Sequence, residues 1–286
     1  MNILESMQRL LKKIKETPGG IQLLTEFFDD EQSGTGLMSL ALIRLNKNKF
    51  STTRHRLIPT LASIEAEPRL IARLIDHTQL KPEATPAHII QLCQEAQKYD
   101  FASVCVNPAY VDLAVAQLRD YHIPVCSVVG FPLGNVTTEM KVLETQIALV
   151  HGAREIDMVI HVGQLKAGNE EYVLQDMTAV VNAASPRASV KVILETCLLT
   201  EEEIIKGCQL AQKAGAHFVK TSTGFSTAGA TAEQVKLMRN TVGDSMGVKA
   251  AGGIRDFETA LSMLRAGANR IGASASVAIV EGAKKV

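Results

Sequence analysis

The sequence has no tryptophan, and aromatic residues make up only 4% of it. That leaves few platforms for stacking against single-stranded nucleic acid. It also lacks an excess of either charge, since Lys plus Arg and Asp plus Glu number 30 each. A neutral chain has no general electrostatic attraction to DNA or to an anionic membrane, so neither is an expected partner. No apolar run approaches the roughly 20 residues of a membrane span. The N-terminus, with Glu5 and Glu16, has no apolar stretch of the secretory type. Cysteines are few, scattered and odd in number: Cys93, Cys105, Cys126, Cys197 and Cys208, with no Cys-x-x-Cys pair. This argues against a disulfide framework and a structural zinc site, and for a reducing, cytoplasmic setting.

What the chain does have is 46% hydrophobic residues over 286 positions. That is enough for one large core, because α/β barrels of about 250 residues fold as a single unit. The character of the chain changes near residue 68. Residues 1–68 read as a mainly helical N-terminal extension of unassigned role. Within it Ile3, Leu4, Met7, Leu10, Leu11 and Ile14 follow a helical spacing. Residues 31–36 read as a loop. Arg44, Lys47, Lys49, Arg54 and Arg56 form a basic stretch. It reads as solvated surface or linker, with a phosphate, nucleic-acid or partner contact as the alternative.

From residue 69 to 286 short apolar runs alternate with longer amphipathic segments. The runs are Leu74–His77, Ala102–Val106, Val125–Val129, Glu155–His161, Val190–Glu195, His217–Thr221, Gly247–Ala251 and Arg270–Ala273. Each is apolar enough to be buried on both faces, as parallel strands are. The segments between them, among them 87–99, 107–120, 138–151 and 201–214, read as helices. Thr200 before three glutamates and Asp256 before the last amphipathic segment read as N-caps. Eight strands alternating with helices predict a parallel (β/α)8 TIM barrel. The rival, a doubly wound open sheet, is disfavoured because no Gly-x-Gly-x-x-Gly turn follows the first strand.

Catalytic groups of such a barrel come from the C-terminal ends of its strands, and three titratable residues stand out there. Lys220 lies in an apolar run that turns hydroxyl-rich. Lys249 holds the matching place on the next strand, and Asp157 interrupts Arg-Glu-Ile-Asp-Met-Val-Ile. A buried lysine is costly unless paired or neutral. Two lysines facing each other disfavour one another's charge, which would free an amine to attack a carbonyl. Asp157 could hold an ammonium or relay a proton. Lys191 and Glu195 could join the same charged layer as a supporting pair. Gly252, Gly253 and Ser274 close the last two strands where barrels bind phosphate through backbone amides. His77, His161 and His217 are far apart in sequence and suggest local bonding, not a metal centre.

Seven segments, taken together, resemble the deoxyribose-phosphate aldolases. They are Leu74-Ile-Asp-His-Thr-Gln-Leu-Lys-Pro, Ser103-Val-Cys-Val-Asn-Pro, Val129-Gly-Phe-Pro-Leu-Gly-Asn, Glu155-Ile-Asp-Met-Val, Lys191-Val-Ile-Leu-Glu-Thr, Phe218-Val-Lys-Thr-Ser-Thr-Gly and Val248-Lys-Ala-Ala-Gly-Gly-Ile-Arg. The resemblance implies a cofactor-free and metal-free class I aldolase, a lyase of deoxyribonucleotide catabolism. Its substrates would be small phosphorylated sugars and aldehydes, and a homodimer is the candidate assembly. It further implies Lys220 as the Schiff-base lysine, Lys249 as its neighbour and Asp157 as the proton-transfer acid. Asp76 and Thr78 would lie near the sugar, and Gly224, Gly252, Gly253 and Ser274 near its phosphate. Two positions depart from the pattern: Phe225 and Ala275 stand where some members have Lys and Ser, removing polar contacts to phosphate. The competing readings are a different Schiff-base barrel enzyme and a non-catalytic sugar-phosphate sensor.

Overall fold

The computed structural model describes residues 58–283. The expected helix at 3–14, the loop at 31–36 and the basic stretch at 44–56 lie outside the described residues.

Eight strands form one closed parallel barrel in chain order. They are β1 Ile75–Gln79, β2 Ser103–Val106, β3 Val125–Val129, β4 Glu155–Val159, β5 Ser189–Ile193, β6 Phe218–Lys220, β7 Gly247–Ala251 and β8 Arg270–Ala273. β2, β3, β4 and β7 are buried at every position. The barrel therefore uses the Val- and Ile-rich runs because both strand faces must leave water. The expected (β/α)8 barrel is the fold that forms.

Several strands end earlier than the apolar pattern suggests, each for a local reason. The fourth stops at Val159 because His161 turns to cap the next helix, its side chain accepting from the Gln164 N–H. The fifth stops at Ile193 because Glu195 takes a left-handed backbone, φ 59°, and leads into a tight turn.

The described helices are α1 Leu61–Ala66, α2 Pro86–Tyr99, α3 Val111–Gln117, α4 Thr138–Val150, α5 Val162–Lys166, α6 Glu170–Ala184, α7 Glu201–Lys213, α8 Ala232–Val242, α9 Phe257–Arg265 and α10 Ser276–Ala283. Thr200 and Asp256 cap α7 and α9 as their sequence positions imply. At α7 the cap is reciprocal: Glu203 N–H donates to Thr200 Oγ1 at 3.3 Å, and Thr200 N–H to Glu203 Oε2 at 2.8 Å. A cap of this kind stabilises its helix by about 1 kcal/mol. A short helical turn over Pro68–Leu74 enters β1. Ile64 on α1 and Ile71 on that turn are fully buried in the same core as the barrel strands. Among the described residues no helix is long and apolar enough to cross a membrane.

Candidate active site

Barrel interiors are ordinarily filled by branched apolar side chains. Part of this one is ionic instead. Asp76, Asp157, Lys191, Lys220 and Lys249 are all buried. Strand register brings them together: Lys220 is the direct partner of Lys249, and Asp157 of Lys191.

Asp157 is the hub. Its Oδ2 accepts from Lys220 Nζ at 2.7 Å and from Lys249 Nζ at 2.8 Å, and its Oδ1 from Lys191 Nζ at 2.8 Å. Asp76 forms the second node. Its Oδ2 lies 2.5 Å from Lys249 Nζ, and its Oδ1 accepts from Arg270 Nη1 and Ser103 Oγ, each at 2.7 Å. Glu155 completes the layer, 2.6 Å from Lys191 and 3.4 Å from Arg270. Four cationic side chains thus face three carboxylates.

Burial raises the cost of each charge here, and the opposite charges more than repay it. Burial would push the Asp157 carboxyl up, yet Lys191, Lys220 and Lys249 hold it well below the usual carboxylate range. Asp76 is lowered in the same way, with Lys249 and Arg270 outweighing burial. Burial works against the Lys249 ammonium, but Asp157 and Asp76 lift its pKa above the ordinary lysine value. Lys191 is raised likewise, chiefly by Asp157 against burial. The mutual repulsion expected of Lys220 and Lys249 is therefore answered by Asp157, whose one oxygen bridges both nitrogens.

Lys220 differs from the other two lysines. It is the last residue of β6, at the end of the barrel where the βα loops gather. Its side chain is 4% exposed, against 0% for Lys191 and 1% for Lys249, and among the described residues its one ion-pair partner is Asp157. Gly272 on β8 makes room for the neighbour, because a Cβ there would sit 2.9 Å from Lys249 Cε.

The loops after β6 and β7 meet above these lysines. Gly224, Gly252 and Gly253 all have positive φ, between 79° and 87°. A Cβ on Gly224 or Gly253 would meet nothing within 4 Å, so the space beside both is open. Ser222 Oγ is buried nearby without a hydrogen-bond partner. Thr221 stitches the two loops by donating to Ala251 C=O at 3.1 Å and accepting from Ala251 N–H at 3.0 Å. Ser274 is exposed just before α10. Phe225 is 48% exposed and stands edge-on to Phe131, with ring centroids 5.3 Å apart.

The remaining sequence-derived residues divide. Lys191 joins the ionic layer. Glu195 does not; it accepts hydrogen bonds from Thr223 N–H and Oγ1 and so holds the loop that carries Gly224. The Thr78 hydroxyl donates to Asp76 C=O at 2.8 Å. His77 bonds Glu95 at 2.7 Å, and His217 Nδ1 accepts from Val190 N–H at 3.1 Å. Arg270, Glu155 and Ser103 escaped the sequence reading. The signal for Arg270 was weaker than for Asp157, a charge at the start of an apolar run and not inside it. Cys105 and Cys126 come together with Asp157, their ligand atoms within 4.8 Å of one another. Lys191 donates to both Cys126 Sγ and Asp157, so ammonium charge already occupies the surroundings a metal cation would need.

The model of the DeoC/LacD family aldolases matches residues 70–282, most of the chain and the whole barrel. The chain belongs to that family. As an aldolase it is a carbon–carbon lyase, and its relatives agree in name. A deoxyribose-phosphate aldolase of Clostridium perfringens is 59% identical over 212 residues, which is 74% of this chain and 95% of that protein. One from a Geobacillus species is 58% identical over 212 residues. Among solved structures, a putative deoxyribose-phosphate aldolase from Coccidioides immitis is 45% identical with a TM-score of 0.74, covering 80% of this chain and 88% of that one. A deoxyribose phosphate aldolase from Aeropyrum pernix, described as having a unique tetrameric structure, is 36% identical with a TM-score of 0.72. It covers 77% of this aldolase and 93% of its own chain.

Proposed function

We propose that this aldolase reversibly cleaves 2-deoxy-D-ribose 5-phosphate to D-glyceraldehyde 3-phosphate and acetaldehyde through a Schiff base on Lys220. The observation that carries the reading is the hydrogen bond from Lys220 Nζ to Asp157 at the loop end of the barrel, beside Lys249. Lys191 and Lys249 are each held as ammonium by two or more carboxylates. That leaves Lys220, with one shared carboxylate, as the amine that meets substrate.

The chemistry follows from that placement. The Lys220 amine adds to C1 of the open-chain sugar, and loss of water gives an iminium that serves as electron sink. Removal of the proton from the C3 hydroxyl forms the new carbonyl and breaks the C2–C3 bond. The bonding pair passes into an enamine at C1 and C2. Protonation at C2 and hydrolysis then release acetaldehyde and restore the amine. Asp157 is the acid–base group for these transfers, acting through water, because its carboxylate already touches Lys220. Lys249 stands beside that nitrogen, bonded to the same Asp157 oxygen, and fixes where Asp157 meets Lys220. Asp76 fixes Lys249, and Thr78 lies on the same strand toward the sugar. The sugar phosphate is received by the open backbone at Gly224 and Gly253 and by Gly252 between their loops, with Ser222 and Ser274 as hydroxyl donors. The family tie favours the same reading, and the tetramer named in its Aeropyrum relative's description favours self-association here, with a homodimer as the simplest form.

The test is acetaldehyde release from 2-deoxyribose 5-phosphate, followed by its reduction with a coupled dehydrogenase. Wild type should turn over, and Lys220→Ala should be inactive while keeping its far-UV circular dichroism. Turnover by a folded Lys220→Ala protein overturns the mechanism. Failure of wild type on this sugar, with turnover of another aldol, overturns the substrate.

A further inference from the structure

A cavity also lies away from the catalytic end. It is an open cleft of about 400 Å³ at the starts of β3, β4, β5 and β6, walled by Pro124 and Pro186. Its volume lies in the range that holds small metabolites, about 300–1,000 Å³. The cleft collects positive charge: Arg154, Arg187 and His217 all line it, with Ser185 and Ser189 between them. Among the described residues neither Arg154 nor Arg187 has a carboxylate within ion-pair distance. Arg187 Nε is buried and has no hydrogen-bond partner. An unmet buried guanidinium donor is costly and rare without a ligand to satisfy it.

The surroundings fix what the ligand would meet. Backbone bonding uses the Arg154 N–H on Val125 C=O and the Arg187 N–H on Ala184 C=O, so their side chains remain free to reach a guest. His217 Nδ1 accepts from Val190 N–H at 3.1 Å, which puts the proton of a neutral ring on Nε2 and makes that atom a donor. The one acid in the lining, Glu155, faces inward to Lys191 at 2.6 Å and Arg270 at 3.4 Å, and its charge is met there. Burial and the neighbouring Arg154 both lower the Arg187 pKa, so the pair gains from any anion placed between them. Two forked guanidiniums, a ring N–H and two hydroxyls match the oxygens of a phosphate better than a single carboxylate.

We propose that this cleft is a second anion site, at the N-terminal end of the barrel, for a phosphate group carried free or on a small metabolite. It opens at the opposite end of the barrel from the βα loops, shares only Glu155 with the ionic layer, and does not depend on the reading of that layer.

The experiment titrates inorganic phosphate, and separately ribose 5-phosphate, into the full chain while following the His217 ring resonances by NMR. The His217 assignment comes from the His217→Gln spectrum. Saturable movement of those resonances is expected, weakened about tenfold by each of Arg154→Gln and Arg187→Gln, as for loss of one charge-assisted bond. Far-UV circular dichroism and Tm should be the same in both variants as in wild type, which shows that they fold. Tighter binding of ribose 5-phosphate identifies a phosphorylated metabolite as the guest, and equal binding identifies phosphate alone. The proposal is overturned if the His217 signals do not move, or if they move equally in wild type and in the double variant.

Discussion

Replacing Asp157 by asparagine removes one charge from a layer in which it touches three ammonium groups at 2.7–2.8 Å. The side chain keeps its size, so packing is nearly unchanged and the effect is electrostatic. Lys191 retains Glu155, and Lys249 retains Asp76, but Lys220 loses its one ion-pair partner. Leaving a buried charge without its partner costs about 3–5 kcal/mol. For a chain of this size that corresponds to a fall of about 6–20 °C in Tm at pH 7. The sign with pH is equally fixed. The folded pKa of Asp157 lies below its unfolded value, so its contribution is fully present above the unfolded carboxylate range near pH 4. It is lost as pH falls through that range toward the folded pKa. The stability gap between wild type and Asp157→Asn should therefore narrow as thermal melts are taken from pH 7 down toward pH 3. Adding Lys220→Met to Asp157→Asn removes the stranded cation and should recover part of the Tm. Equal melting of wild type and Asp157→Asn at pH 7, or a gap that widens in acid, refutes the assignment of Asp157 as counter-ion to the three lysines.

Other expectations follow from the same geometry. Lys249→Leu removes the cation beside Lys220 and leaves Asp76 facing Asp157, so kcat should fall by about 10²–10³ in the acetaldehyde assay. Gly272→Ala places a Cβ 2.9 Å from Lys249 Cε, so this lysine must shift. Steady-state kinetics should show a drop of about tenfold or more in kcat with a smaller change in Tm, since misplacement near the chemistry costs rate first. Phe225 is an exposed aromatic on the loop that carries Gly224. Phe225→Lys should lower KM for the phosphorylated sugar by about three- to tenfold with little change in kcat, and leave the unphosphorylated sugar unaffected.

Much of this was legible because barrel strands obey simple rules. Each β-branched run became a strand, and Thr200 and Asp256 capped the helices they precede. Lys220, Lys249 and Asp157 were visible as charges inside apolar runs, where an unpaired charge is too costly to be incidental. What the sequence could not give was partnership. Asp76 meets Arg270 across 194 residues and Lys249 meets Asp157 across 92, and only barrel closure brings β8 beside β1. Glu195 and Lys191 looked alike as residues of one strand. The left-handed turn at Glu195 sends it to Thr223 while Lys191 stays in the layer. The cleft of Arg154, Arg187 and His217 was hidden for a similar reason, since its residues come from the starts of different strands.

The central claim is that Lys220 forms the covalent bond to substrate. Incubating the protein with 2-deoxyribose 5-phosphate and borohydride, then mapping peptides by mass, reads this directly. The expected result is a reduced adduct on the peptide that carries Lys220, absent from Lys220→Ala. An adduct on Lys249 would contradict the assignment of the two lysines, and a folded, active enzyme with no adduct would contradict the Schiff base itself.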